Sequence, residues 1–155
     1  RDSQRGDGGL KVKQILLISG PNLNLLGERE PEIYGESTLD DYVQRAESAA
    51  AEHGYELIHR QYNDEGSIVE EIQLARSTYS GVIINPGALT HYGWSIHDAL
   101  AAFEGPVIEL HLSNPNAREP WRHTSVVAPV ATGSIIGLGG YGYELAVHAM
   151  ADALK

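Results

Sequence analysis

The chain has 155 residues, 42% of them hydrophobic, with a formal net charge of −10 and no cysteine. That length fits one compact domain around a single core. The acidic balance argues against a nucleic-acid partner, and the lack of thiols excludes disulfides and thiolate metal sites.

The longest apolar runs, such as Ile15–Ile18 and Val82–Ile84, are far too short to span a bilayer. No signal-peptide pattern is present, and the sequence suits the cytosol. Lysine occurs only at Lys11, Lys13 and Lys155, near the termini, which leaves no candidate for a buried Schiff-base lysine. Residues 1–13 open on the polar, glycine-rich RDSQRGDGG and read as a disordered or added tail before a domain over residues 14–155.

Within that domain, Gln14–Ser19 predicts a buried strand. Thr38–His53 places Leu39, Tyr42, Val43, Ala46, Ala49 and Ala50 at helical spacing, and Gly54 supplies a stop. Tyr55–Arg60 reads as a second strand. Ile68, Val69, Ile72 and Ala75 mark a second helix, entered through a Glu65-Gly66-Ser67 turn. Gly81–Asn85 is a third strand, Ser95–Phe103 a third helix, Val107–Leu110 a fourth strand and Gly133–Leu138 a fifth. Tyr143–Leu154 closes the chain as a helix, with Ala146, Ala149, Met150 and Ala153 on one face. Strands alternating with helices predict an α/β fold, a flavodoxin-like doubly wound five-stranded parallel sheet in a single domain. Such sheets bind ligands at the carboxyl ends of their strands.

Four segments follow strands and should meet at that edge: Gly20–Gly35 (GPNLNLLGEREPEIYG), Asn85–His91 (NPGALTH), His111–Asn114 (HLSN) and Ala117–His123 (AREPWRH). They bring together Asn22, Arg29, Tyr34, Asn85, His91, His111, Ser113, Arg118 and Arg122, donors suited to a small hydroxylated carboxylate. Each also has an ordinary reading. Asn22 can sit in a plain turn, Arg29 can pair with Glu28 or Glu30, Tyr34 can be packing, and His111 can be a satisfied core histidine. Arg118 and Arg122 share a face if helical, as solvated charge or as a carboxylate clamp. His91 and His97, six apart, lack metal-ligand spacing, so no metal is expected. The first loop has bulky Leu23, Leu25 and Leu26 where a flavin carrier needs a phosphate loop. A response regulator's acidic pair and lysine are missing.

Taken jointly, GPNLNLLGEREPEIYG, NPGALTH, ELHLSN with AREPWRH, and GLGGYGYELA resemble the signatures of the type II 3-dehydroquinate dehydratase family, from roughly Gln14 to Leu154. The resemblance implies dehydration of 3-dehydroquinate to 3-dehydroshikimate through an enolate, with no cofactor or metal, in the shikimate pathway or quinate metabolism. It implies Tyr34 as general base, Arg29 as the cation favouring its phenolate, and Asn22 as holder of a water at the enolate oxygen. His111 would be the general acid and Glu109 its orienting residue. Asn85, His91 and Arg122 would bind ring hydroxyls, the backbone amides of Leu112 and Ser113 the carboxylate, and Arg118 would belong to the lid region. Asp98 would reach a neighbouring subunit's site in a homo-oligomer, a dodecamer built from trimers. Tyr62, and Tyr92-Gly93-Trp94 beside His91, depart from the usual family residues and point to an altered pocket rim. They leave two alternatives: a related dehydratase or isomerase acting on another cyclic polyol acid, or a non-catalytic binding subunit.

Overall fold

A computed structural model describes residues 11–28, Glu32 and residues 36–155. Among them, five strands form one sheet in the order β2-β1-β3-β4-β5, with every neighbouring pair parallel. The strands are β1 (Gln14–Ser19), β2 (Glu56–Gln61), β3 (Gly81–Asn85), β4 (Val107–His111) and β5 (Gly133–Ile136). The helices are α1 (Leu39–Glu52), α2 (Glu65–Thr78), α3 (Trp94–Ala101) and α4 (Tyr141–Ala153).

The alternation of side chains along β1 distributes the core. Ile15 and Leu17 point to the face covered by α1 and α4, where they pack with Val43, Ala46 and Val147. Leu16 and Ile18 point to the other face and pack with Ile68 and Ile72 of α2 and Ile96 and Leu100 of α3. Because both faces are covered, β1, β3 and β4 are apolar almost throughout and buried.

Helix starts follow local chemistry. Thr38 caps α1 in a reciprocal box: its side chain accepts from the Asp41 amide, and the Asp41 carboxylate accepts from the Thr38 amide at 2.9 Å. The expected Glu65-Gly66-Ser67 turn is instead the first turn of α2, because Asp64 caps it by accepting from the Ser67 amide at 2.9 Å. The chain enters β2 after β1 and then returns across β1 to β3, so the winding reverses between β1 and β3. That reversal opens a crevice at the carboxyl ends of these strands.

Candidate active site

A cleft lies at that point. It is lined by Pro21, Asn22, Leu23 and Leu26 from the loop after β1, and by Asn85, Gly87, Ala88 and His91 after β3. His111, Leu112, Ser113 and Pro115 from the end of β4, with Arg118 and Arg122, complete it. Of the residues expected at the site, Asn22, Asn85, His91, His111, Leu112, Ser113, Arg118 and Arg122 therefore converge. Arg29 and Tyr34 lie outside the described residues. Asp98 does not join the cleft. It is exposed on α3, beside a shallow depression shared with Val69, Gln73, Arg76 and Ser95.

Two loops must come very close for the cleft to form. The Gly20 amide donates to the Asn85 carbonyl at 2.7 Å, and a Cβ on Gly20 would stand 2.6 Å from the Pro86 carbonyl oxygen. Only glycine allows that approach. Asn22 holds φ at 71°, the only described non-glycine residue with positive φ. Its amide donates to the Asn63 side-chain oxygen at 3.0 Å, which ties the first loop to the end of β2. Asparagine tolerates this left-handed conformation better than most residues, and such outliers concentrate at functional sites.

His111 is the last residue of β4, not the first residue beyond it, and Glu109 precedes it by two on the same strand face. Its Nε2 donates to the Glu109 carboxylate at 2.7 Å, which leaves Nδ1 as the other ring nitrogen. Glu109 is 2% exposed, and hydroxyls surround it. Thr90 and Ser125 both donate to its carboxylate, Ser125 at 2.9 Å. Burial alone would push the Glu109 pKa up. The hydrogen bond and charge of His111, with the hydroxyls of Thr90 and Ser125, outweigh it and hold the carboxyl below its ordinary range. Glu109 is thus a buried carboxylate held ionised against the ring of His111.

The wall opposite is cationic in a chain whose net charge is −10. Arg118 and Arg122 do not share a helical face. They occupy two short 3-10 turns, Pro115–Ala117 and Pro120–Arg122, or their ends, and converge because Glu119 lies between them. Arg122 Nε donates to Glu119 at 2.8 Å, and Arg118 donates to the Ser113 hydroxyl at 3.2 Å. The Arg122 guanidinium also stacks on Trp121, 4.1 Å from the ring centroid. The His91 ring meets the same tryptophan edge-on at 5.2 Å, and its Nδ1 donates to the Thr124 carbonyl at 2.7 Å. The Nδ1 proton fixes the tautomer, so in the neutral ring Nε2 is an acceptor.

Tyr62, Tyr92, Gly93 and Trp94 are not among the described residues that line the cleft. Tyr62 packs behind the sheet, where its hydroxyl donates to Glu71 at 2.6 Å. That hydrogen bond, then burial, pushes its pKa up to about 12. Tyr92 and Trp94 are exposed and are not among the lining residues, and Gly93 caps α3. The chain turns out of the cleft into α3 immediately after the Gly87–His91 turn. Residue patterns alone missed the Thr90 and Ser125 hydroxyls and the buttressing role of Trp121. Thr90 and Trp121 stand inside quoted motifs, but Ser125 carries no local signal.

A family model described as dehydroquinase class II matches residues 13–151. A 3-dehydroquinate dehydratase of Halalkalibacterium halodurans is 53% identical over 144 residues, spanning 93% of this chain and 99% of its own. A catabolic 3-dehydroquinase of Penicillium rubens is 56% identical over 136 residues, 88% of each chain. The crystal structure of type II dehydroquinase from Propionibacterium acnes superposes with a TM-score of 0.85 at 46% identity, covering 90% of this chain and 97% of that one. A family match over residues 13–151, with relatives at about half identity and the same fold, means that this chain belongs to the class II dehydroquinase family.

Proposed function

We propose that the chain removes water from 3-dehydroquinate to give 3-dehydroshikimate through an enolate, without metal or cofactor. In this reading the Tyr34 phenolate, favoured by Arg29, takes a proton from C2, and the electron pair moves onto the C3 carbonyl oxygen. Asn22 holds a water against that oxygen. The enolate then collapses, the C1–O bond breaks, and His111 gives its Nδ1 proton to the departing hydroxyl. One proton from C2 and one hydroxyl from C1 leave as water overall. Glu109 keeps Nε2–H engaged, so the ring is oriented with Nδ1 as the acid.

Asn85, His91 and Arg122 would hold the ring hydroxyls. The amides of Leu112 and Ser113, with Arg118 nearby, would receive the carboxylate. Asp98, exposed and apart from its own cleft, suits a contact to another copy's site in a trimer-based dodecamer; light scattering on the purified protein tests that assembly.

The observation that supports this reading most is the pairing of His111 with a buried, hydroxyl-caged carboxylate at 2.7 Å, facing a cleft lined by two arginines. A subunit that only bound a ligand would gain nothing from such a pair. The assay is the rise in ultraviolet absorbance as purified protein forms the conjugated enone from 3-dehydroquinate. No rise with folded protein would reject the proposal. Borohydride added with substrate should leave activity and mass unchanged, because an enolate route forms no imine.

A further inference from the structure

Asn85 is 2% exposed at the floor of the cleft, and its side chain is wired into a buried polar chain that the proposed reaction does not use. The Gly87 amide donates to Asn85 Oδ1 at 3.2 Å. A backbone N–H can only donate, so this contact fixes which end of the amide is oxygen. Asn85 Nδ2 must then donate to the Tyr143 hydroxyl, 3.3 Å away. Its second hydrogen is left for the cleft. Tyr143 comes from the first turn of α4 and is 1% exposed. Its oxygen lies 3.2 Å from the Ser19 hydroxyl at the end of β1, and Ser19 lies 2.9 Å from His59 Nε2 on β2.

The first contact fixes the direction of the bond from Asn85 to Tyr143. Tyr143 accepts from Asn85 and shares its other hydrogen bond with Ser19. Ser19 and His59 Nε2 share the next hydrogen bond, and its direction is set by the His59 tautomer. Burial pushes the Tyr143 pKa up, more than its bonds to Ser19 and Asn85 lower it, so the phenol stays protonated. Burial likewise lowers the His59 pKa, against the charge of Asp40 and with that of Arg60, which suits an acceptor.

We propose that Tyr143, backed by Ser19 and His59, is a positioning residue that aims the free amide hydrogen of Asn85 at the substrate. The inference rests on the reading of Asn85 as a substrate-binding group. Removing the Tyr143 hydroxyl would leave one Asn85 hydrogen without its acceptor and let the amide tilt, which weakens binding without touching the base or the acid.

The test is a double-mutant cycle on the dehydration assay with Tyr143→Phe, Asn85→Ala and the pair. Tyr143→Phe should raise KM roughly three- to tenfold, the range for losing one neutral hydrogen bond, with kcat changed less. In the Asn85→Ala background the same substitution should raise KM no further. Wild-type KM in Tyr143→Phe, or an equal rise in both backgrounds, would overturn the inference and leave the role of Asn85 standing. An unchanged KM in Asn85→Ala would overturn both. If thermal melts show that Tyr143→Phe does not fold, Ser19→Ala removes the next link with little change of shape. It should give a smaller KM rise that also vanishes beside Asn85→Ala, and additive effects there would count against the inference. Absence of turnover by the unaltered chain would instead sink the proposed function.

Discussion

His111 and His59 stand on strands of the same sheet and each presents Nε2 to a buried or half-buried oxygen, at 2.7 and 2.9 Å. Their partners differ. Glu109 is an ionised carboxylate and can only accept, so His111 must donate from Nε2 and can carry a second proton on Nδ1. Ser19 is a neutral hydroxyl that can give or receive, and burial, by lowering the His59 pKa, favours the neutral ring. The difference teaches that the chemistry of each histidine is set one residue away, by whether the oxygen beside it bears charge. At the end of β4 the ring donates to a charged oxygen, as the proposed acid would require. At the β1–β2 edge it holds a proton chain still.

The largest expected effect separates both histidines from the base. If Tyr34 takes the C2 proton, Tyr34→Phe should cut kcat by at least about 10²-fold, with the fold intact by circular dichroism. Near-wild-type turnover would hand the base role to another group, and His111 would be the first to re-examine.

The carboxylate itself comes next. Glu109→Gln keeps the size of the side chain but removes the charge beside His111. It should lower kcat about 10- to 100-fold, the range for a charge-assisted hydrogen bond, with little change in KM. A rise in KM alone would make Glu109 a packing residue.

The smallest effect is on stability against pH. The Glu109 pKa is depressed from an ordinary 4.5, so its contribution is complete above 4.5 and is lost as pH falls through the lower folded value. The His59 pKa is depressed from 6.5, so folding must exclude its proton, and stability falls as pH drops below 6.5. Melting temperature should therefore decline in two stages on acidification. His59→Gln should flatten the first stage, and Glu109→Gln the second. A first stage that survives in His59→Gln would mean another group titrates there.

Much of the fold was legible because both periodicities are clean. Apolar runs marked β1, β3 and β4, and the spacing from Leu39 to Ala50 marked α1. The entry to α2 was misread as a turn because Gly66 lowers helix propensity, while the Asp64 cap outweighs it. The cleft was legible as a set of loop donors at strand ends. The pairing of Arg118 with Arg122 was reached on a helical argument that does not hold, since Pro115 and Pro120 break the segment into short turns. The polar chain behind Asn85 was not legible at all. Ser19 reads as the tail of an apolar strand, and nothing local shows that it meets a tyrosine 124 residues away.

The division of labour between Tyr34 and His111 is the central claim, and His111→Gln tests it most directly. Glutamine keeps a donor of similar reach but cannot transfer a proton at neutral pH. The mutant is incubated with 3-dehydroquinate in heavy water and followed by nuclear magnetic resonance. The account predicts that hydrogen at C2 continues to exchange with solvent, because Tyr34 still forms the enolate, while net dehydration falls by about 10²-fold or more. Loss of exchange and dehydration together, with substrate binding intact, would contradict it.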